Sequence, residues 1–267
     1  MATYLDRILT VHRERAAADT RSLDDLIERA MLLPPTRGFR AALAGGDDRL
    51  KVISEVKRRS PSKGDLFADL DPATLARQYE RGGASAMSVL TDGPHFGGSP
   101  EDLAAARSAV SLPVIRKDFT VSAHDVVDAR LMGADCVLLI VAALSDDELR
   151  EFSDLARRIG LDALIETHDE AEVERAVANT GADLIGVNQR DLVTFAVDQE
   201  RAVRVAAVIP DTAVKVAESG VRGHADAVAL AAAGYRAVLV GEHLVTSGDP
   251  AAAIDALRVP LAAGEPR

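Results

Sequence analysis

The chain has 267 residues and a formal net charge of −11 at pH 7, with 48% hydrophobic and 27% charged residues. This balance predicts a globular protein with a large core, and the negative charge argues against nucleic acid and acidic membranes as partners. No stretch approaches the roughly 18 apolar residues of a membrane span, and the N-terminus lacks a signal-peptide pattern, so we expect a cytoplasmic protein.

The first 50 residues precede the first predicted strand and contain two amphipathic stretches. The residues that share one helical face are Leu5, Ile8, Leu9 and His12 in the first stretch, and Leu23, Leu26, Ile27 and Ala30 in the second. Helices of this length are marginal in isolation. We therefore predict that residues 1–50 pack onto the rest of the chain as an extension, and that residues 1–267 form a single domain.

From position 51 onward, short β-rich apolar runs alternate with longer segments of helical period. Eight runs recur about every 26 residues, at 51–57, 86–90, 113–117, 135–141, 162–166, 183–188, 213–218 and 236–241. Such alternation predicts parallel strands connected by helices, and eight units of this kind close a barrel. The predicted fold is an α/β (βα)₈ TIM barrel with an N-terminal helical extension.

Polar residues stand at the carboxyl ends of several predicted strands, where barrels of this kind carry their chemistry. Period-two alternation places Glu55 and Lys57 on one face of the first strand. The third strand ends with Lys117, with Phe119 on the same face. The fifth strand ends with Glu166, and the sixth ends at Asn188, closely followed by Arg190. One charged side chain at a strand end often just reaches water, but four strands converging on one rim favour a functional site.

Glycine-rich turns follow the last two predicted strands. Glu218-Ser219-Gly220 comes after the seventh strand and Gly241-Glu242 after the eighth. Backbone N–H groups in such turns can hold a phosphate, because glycine allows close approach and a helix N-terminus favours negative charge. With the lysines at the rim, the pattern predicts a small anionic substrate despite the overall negative charge.

The sequence contains no recognisable metal or nucleotide motif. The single cysteine, Cys136, lies in the apolar run CVLLIV, which favours a buried structural thiol over a nucleophile. The six histidines have no zinc-binding spacing, and neither GxSxG nor a Walker loop is present. We predict no metal and no cofactor.

Several motifs together resemble the indole-3-glycerol-phosphate synthase family. SEVKRRSPSKG is similar to the family signature ExKxxSPSxG, and LTDGPHFGGSPEDL is similar to its second βα loop. RKDFTV, IETH, GVNQRDL, AESGV and LVGEHLV follow in family order. The resemblance runs from about Leu5 to Pro250 and includes the N-terminal extension. His243 departs from the pattern, since the family more often has serine, alanine or glycine there.

The resemblance implies roles for individual residues. It implies Lys117 as general acid on the substrate ketone, Glu166 as general base or acid in later steps, and Lys57 in binding and proton transfer. Glu55, Asn188 and Glu218 orient groups or carry hydrogen bonds, and Arg190 pairs with Glu55 or with the substrate carboxylate. The implied phosphate contacts are Ser60, Ser219, Gly220, Gly241 and Glu242, and the implied wall around the anthranilate ring is Phe96, Phe119, Leu138 and Leu192.

The implied activity is ring closure, decarboxylation and dehydration of 1-(2-carboxyphenylamino)-1-deoxy-D-ribulose 5-phosphate in tryptophan biosynthesis, without a cofactor. We expect a monomer that can associate with other tryptophan-pathway enzymes. The alternatives are a sugar-phosphate isomerase, a Schiff-base aldolase and a non-catalytic sugar-phosphate-binding barrel. An isomerase of the nearest kind uses a cysteine early in the chain, whereas Cys136 lies in the fourth predicted strand. A binding barrel need not keep Lys117, Glu166 and Asn188 together.

Overall fold

A computed structural model describes residues 3–60, 63–67, 69–191, 193–194 and 196–261. Eight parallel strands form a closed barrel. They are β1 (Lys51–Val56), β2 (Ala86–Leu90), β3 (Val114–Lys117), β4 (Cys136–Ile140), β5 (Asp162–Thr167), β6 (Leu184–Asn188), β7 (Val214–Glu218) and β8 (Ala237–Val240). β8 pairs with β1, with Lys51 opposite Ala237, and this pairing closes the barrel. The predicted fold class is confirmed, and each strand ends within one residue of its predicted bounds.

Helices surround the barrel and precede it. They are α1 (Tyr4–Ala17), α2 (Leu23–Met31), α3 (Phe39–Ala44), α4 (Pro72–Arg81), α5 (Gly93–Phe96), α6 (Pro100–Ala109), α7 (Ala123–Leu131), α8 (Asp146–Arg158), α9 (Glu170–Thr180), α10 (Gln199–Val205), α11 (His224–Ala232), α12 (Glu242–Val245) and α13 (Pro250–Leu257). A short antiparallel hairpin pairs Arg59–Ser60 with Gly64–Asp65 after β1. Asp71, Ser122 and Ser145 cap the helices that follow them, because their side-chain oxygens accept backbone N–H groups of the first turn.

The core lies inside the barrel and between the barrel and its helices. Every residue of β1, β2, β4, β6 and β8 is buried. Cys136 is fully buried in β4, and burial raises the pKa of its thiol well above the usual value. These properties agree with a structural thiol.

The N-terminal extension packs against the barrel through apolar and charged contacts. Leu26, Ile27 and Ala30 of α2 are buried, and this helix lies against α7. From α1, Ile8 is buried and Arg13 donates a hydrogen bond to Glu148 at 2.7 Å. Within the described ranges, no helix has the length and apolar character needed to cross a bilayer.

Candidate active site

A cavity of about 580 Å³ opens at the carboxyl ends of the barrel strands. This volume lies in the range usual for small-molecule sites. The predicted site residues that line it are Glu55, Lys57, Ser60, Phe96, Lys117, Phe119, Leu138, Glu166, Asn188, Arg190, Glu218, Ser219, Gly220, Gly241 and Glu242. Leu192 lies outside the described residues. Parallel strands bring all their carboxyl ends to one rim, which explains why residues far apart in the chain meet here.

Lys117 lies at the centre of this cavity between two carboxylates. Its Nζ donates hydrogen bonds to Glu166 Oε2 and to Glu218 Oε2, each at 2.7 Å. Burial alone lowers the pKa of Lys117, but the charges of Glu166, Glu218 and Glu55 outweigh burial and raise it. The lysine is therefore held as an ammonium ion that carries a proton at the middle of the cavity.

The two carboxylates beside Lys117 have different environments. Burial raises the pKa of both groups. For Glu166 this is outweighed by Lys117 and His168, and a hydrogen bond of 3.0 Å from Asn188 Nδ2 to Oε1 adds to their effect, so its pKa is lowered. Oε1 of Glu218 is buried without a hydrogen-bond partner, and the pKa of this group stays raised. Two carboxyl groups whose pKa values differ in this way can provide a base and an acid in one cleft.

On the β1 side of the cavity, Glu55 forms an ion pair with Lys57. The contact between Glu55 and Lys57 has a local cause: Lys57 directly follows β1, two positions after Glu55, so the alternation of an extended chain brings both side chains to one face. The sequence resemblance also offered Arg190 as a partner for Glu55 or for the substrate carboxylate, and that pairing stays a prediction. The backbone N–H of Arg190 donates to Asn188 Oδ1 at 3.0 Å, and Arg190 lines the cavity nearby.

The turns after β7 and β8 form another part of the cavity wall. Ser219 has φ 64° and is the one non-glycine residue with positive φ in the described chain; Gly220 follows with φ 74°. A non-glycine residue in this region costs about 1–3 kcal/mol and persists where the surroundings require it. Gly241 immediately precedes α12, and Lys63 Nζ lies 2.6 Å from Glu242 Oε1. The hydroxyl of Ser60 is buried without a partner.

An aromatic wall faces these turns. The rings of Phe96 and Phe119 have centroids 6.3 Å apart at 40°, and Leu138 lines the same cavity. The ring of His12, from α1, lies 5.4 Å from that of Phe119. Tyr4, Leu5 and Ile8 also line the cavity, so α1 covers part of its mouth.

Asp92 joins α1 to this aromatic wall, and sequence reasoning did not find it. Its side chain is 1% exposed; its Oδ2 lies 3.2 Å from His12 Nε2 and its Oδ1 accepts the backbone N–H of His95 at 2.7 Å. Burial raises the pKa of Asp92, but hydrogen bonds from His12 and His95 outweigh it and lower the pKa to about 2. Asp92 is 80 positions from His12, and nothing in the local pattern connects them.

One group in the described chain has the residue types of a metal site. Atoms of His12, Asp92 and Asp118 lie within 4.8 Å of one another. The Asp118 carboxylate, however, already accepts hydrogen bonds from Arg116 at 2.9 Å, from the hydroxyl of Thr91, and from the backbone N–H of Phe119 at 2.8 Å. The guanidinium of Arg116 already neutralises the charge of Asp118, so the group fits a hydrogen-bond network and does not suit an ion.

Comparison with known proteins gives the family. The model of the family described as indole-3-glycerol phosphate synthase matches residues 5–257. The chain belongs to this family. Indole-3-glycerol phosphate synthases of Arthrobacter sp. (strain FB24) and Streptomyces coelicolor are each 52% identical to it, over 93% of both chains in the first case and over 98% of this chain and 96% of the other in the second. The synthase of Nocardioides sp. is 56% identical over 82% of each chain.

Solved structures with much lower identity share the fold alone. Thiamine phosphate pyrophosphorylase from Pyrococcus furiosus aligns with a TM-score of 0.59 at 17% identity, covering 78% of this chain and 93% of that one. An N-acetylmannosamine-6-phosphate 2-epimerase from Clostridium perfringens aligns with a TM-score of 0.57 at 12% identity, covering 74% and 89%. The indole-3-glycerol phosphate synthase family is one of carboxy-lyases of tryptophan biosynthesis, and the family indicated by the sequence motifs is confirmed.

Proposed function

We propose that this chain closes, decarboxylates and dehydrates 1-(2-carboxyphenylamino)-1-deoxy-D-ribulose 5-phosphate to indole-3-glycerol phosphate, as its family name indicates. The observation that carries the proposal is Lys117, an ammonium held by Glu166 and Glu218 at 2.7 Å each. It lies in a cavity that is lined by Phe96 and Phe119 and by the glycine turns after β7 and β8. This arrangement suits a substrate with an aromatic ring, a ketone and a phosphate.

In ring closure, the aromatic carbon that bears the carboxylate attacks the ketone. The ketone oxygen gains negative charge as the new bond forms, and Lys117 Nζ gives it a proton. The ring carbon becomes sp³, and the adjacent iminium nitrogen accepts the electron pair released when the bond to CO₂ breaks. Phe96, Phe119 and Leu138 hold the aromatic ring, and Lys57 binds the carboxylate until it leaves. No external electron acceptor is needed for this sequence.

Dehydration removes the former ketone oxygen as water. A second proton must reach this oxygen. Lys117 lies beside the oxygen and can donate this proton once Glu166 or Glu218 has returned a proton to Nζ. Glu166, whose lowered pKa keeps it ionised, takes the proton from the neighbouring ring carbon. Asn188 holds Glu166 Oε1 in position at 3.0 Å. Two protons are delivered and one is recovered, so each turnover consumes one proton.

The phosphate is assigned to the turns after β7 and β8. Ser219, Gly220, Gly241 and Ser60 offer backbone N–H groups and hydroxyls at the cavity wall, and Lys63 and Arg190 provide positive charge there. The 2.6 Å ion pair with Glu242 holds Lys63 on the loop side of these phosphate-binding residues. The assignment gives the substrate a fixed direction, with its phosphate away from the aromatic wall.

The deciding assay uses the purified chain, the proposed substrate and a chelator, without added nucleotide. We expect formation of an indole product, followed by its fluorescence, together with one equivalent of CO₂. Absence of both products from folded protein would overturn the proposal. Inactivation by borohydride in the presence of substrate would instead favour a Schiff-base aldolase.

The proposal also covers the oligomeric state, domain organisation, location and partners of the enzyme. We propose that the enzyme acts as a monomer. We also propose that residues 1–267 unfold as one domain, that the enzyme works in the cytoplasm, and that it can associate with other tryptophan-pathway enzymes. Sedimentation velocity and calorimetry test the first two points, with one species and one cooperative transition as the expected results.

A further inference from the structure

His168 lies directly behind Glu166 and is not among the residues that line the cavity. Its Nε2 is 3.7 Å from Glu166 Oε1 and is buried without a hydrogen-bond partner. On its other side, Nδ1 lies 3.0 Å from Glu172 Oε2, which also accepts the backbone N–H of His168 at 2.8 Å. The imidazole therefore stands between a carboxylate of the cavity and a carboxylate on α9.

This arrangement determines where protons must be. Glu172 Oε2 already accepts one N–H group, so Nδ1 carries a hydrogen toward it. Nε2 then faces a second carboxylate, and two acceptors facing each other in a buried site are unfavourable unless one of them holds a proton. Burial lowers the pKa of His168, but Glu172 and Glu166 outweigh it and raise the pKa. The shared proton resides on the imidazole when Glu166 is ionised.

The groups form a continuous path into the barrel. Nε2 of His168 is 3.7 Å from Glu166 Oε1, Glu166 Oε2 is 2.7 Å from Lys117 Nζ, and Lys117 Nζ is 2.7 Å from Glu218 Oε2. A shift of about 1 Å or less brings the first pair to hydrogen-bond distance. At the outer end, 12% of the His168 side chain and 18% of the Glu172 side chain are exposed, against 3% for Glu166 and 2% for Glu218.

We propose that His168 returns to the cavity, through Glu166 and Lys117, the one proton that each turnover consumes. This inference rests on the proposed function, because the need for a proton follows from that reaction. In each transfer the Nε2–H bond breaks as an O–H bond forms at Glu166 Oε1. The carboxyl group then rotates to bring this proton to Lys117, where the O–H bond breaks as an N–H bond forms on the neutral amine. Between transfers the neutral ring turns so that Nε2 reaches solvent and takes up a proton there, while Nδ1 keeps its own hydrogen. Because a bound substrate fills the cavity and separates Lys117 from the water there, a proton route from the His168 side of Glu166 is useful.

The main test compares first and later turnovers of His168→Gln at pH 8. Glutamine keeps an N–H donor beside Glu166 but cannot carry an additional proton. We expect the first turnover to stay within about threefold of wild type, KM to change less than about twofold, and steady-state kcat to fall about tenfold or more. The matched control is His224→Gln, at an exposed ring bound to Ala256 O at 3.0 Å, which should leave all three values unchanged.

Two further readouts separate proton supply from a structural role. Imidazole added to His168→Ala should restore steady-state turnover, in proportion to its protonated form. The wild-type kcat should fall as pH rises through the pKa of His168, because the imidazolium is the donor. The charged groups facing the ring are Glu166, Glu172 and Arg201, the last of which lowers its pKa. Glu172→Gln should therefore move this fall to lower pH.

Wild-type steady-state kcat and an unchanged pH profile in His168→Gln would overturn the inference. An equal loss in first and later turnovers, without rescue of His168→Ala by imidazole, would also overturn it and leave His168 a structural residue. If the wild-type chain itself formed no indole product, the proposed function would fail first and this inference with it. The wild-type assay therefore distinguishes the two failures.

Discussion

Lys117 offers the sharpest test at the scale of single residues. Lys117→Met keeps most of the side-chain volume and removes the proton donor. We expect kcat to fall by about 10² or more with a smaller change in KM, since the charge acts mainly in the transition state. Breaking a buried ion pair also costs about 3 kcal/mol of unfolding free energy. Single-turnover kinetics and melting curves measure both effects.

The stability loss of Lys117→Met should depend on pH with a defined sign. Lys117 lowers the pKa of Glu166, so the wild-type contribution exists above the unfolded pKa and is lost as pH falls. The difference in melting temperature from wild type should therefore be larger at pH 7 than at pH 3, because the folded pKa of Glu166 is about 2. Lys51→Met is the matched control, since Lys51 is buried against Asp47 at 2.5 Å, away from the cavity. It should lose stability and keep kcat; near-normal turnover in folded Lys117→Met would remove Lys117 from the mechanism.

The contribution of Glu218 to stability should depend on pH in the opposite direction. Its folded pKa is raised, mainly by burial, so its contribution is present below the unfolded pKa and is lost as pH rises through the folded pKa. Glu218→Gln has nearly the shape of the protonated acid. We expect it to have a wild-type melting temperature near pH 5 and a higher one at pH 8, with reduced kcat. Equal melting temperatures at both pH values would show that Glu218 is not destabilised by its charge.

At the scale of elements, glycines let neighbouring strands bring their carboxylates together. A Cβ at Gly186 in β6 would overlap Glu218 Oε1, and one at Gly241 would overlap Glu55 Oε1. We expect Gly186→Ala to displace Glu218 from Lys117 and to lower kcat about tenfold or more, with the strand itself retained. Gly223→Ala is the control, because its Cβ would have no atom within 4 Å. Steady-state kinetics with circular dichroism check this; equal activity of the two variants would contradict it.

Helix α1 is an element whose position matters to the substrate. Removing residues 1–40 should raise KM and lower stability, but it also deletes buried residues such as Ile8 and Leu26 and uncovers the apolar surface that they pack against. His12→Ala is a finer change, since it breaks only the contacts to Asp92 at 3.2 Å and to the Phe119 ring. We expect KM to rise about fivefold, with kcat less affected. Val11→Ala is the control, since Val11 lies on the same helix and is 39% exposed. An unchanged KM in His12→Ala would limit α1 to packing.

At the scale of the whole molecule, the net charge is −11, and we expect the substrate phosphate to be bound through a local cluster of cations. Lys63 is 57% exposed, so water and salt screen its charge. We expect KM to rise with ionic strength, and Lys63→Gln to raise KM about two- to fivefold while reducing this salt dependence. Arg150→Gln, an exposed cation on α8 paired with Asp147, should do neither. A salt dependence that is identical in Lys63→Gln and wild type would place the phosphate elsewhere.

Local sequence determined the elements and the candidate rim residues. Strand alternation is a property of neighbouring residues, so it placed Glu55 with Lys57 and Lys117 with Phe119 correctly before any fold was known. Helix caps such as Asp71 and Ser145 depend only on residues within one turn. The closed barrel followed from eight repeats of one unit.

Only the tertiary structure decided which side chains meet and what charge each one holds. Lys117 and Glu218 are 101 positions apart, and His12 and Asp92 are 80 apart, so no local period links them. The raised pKa of Glu218 and the lowered pKa of Glu166 arise from unequal neighbours around two buried carboxyl groups of the same type. Sequence alone assigned chemistry to the strand ends because parallel strands share a rim. It could not place α1 over that rim or His168 behind Glu166, because those contacts depend on distances that exist only once the barrel has closed.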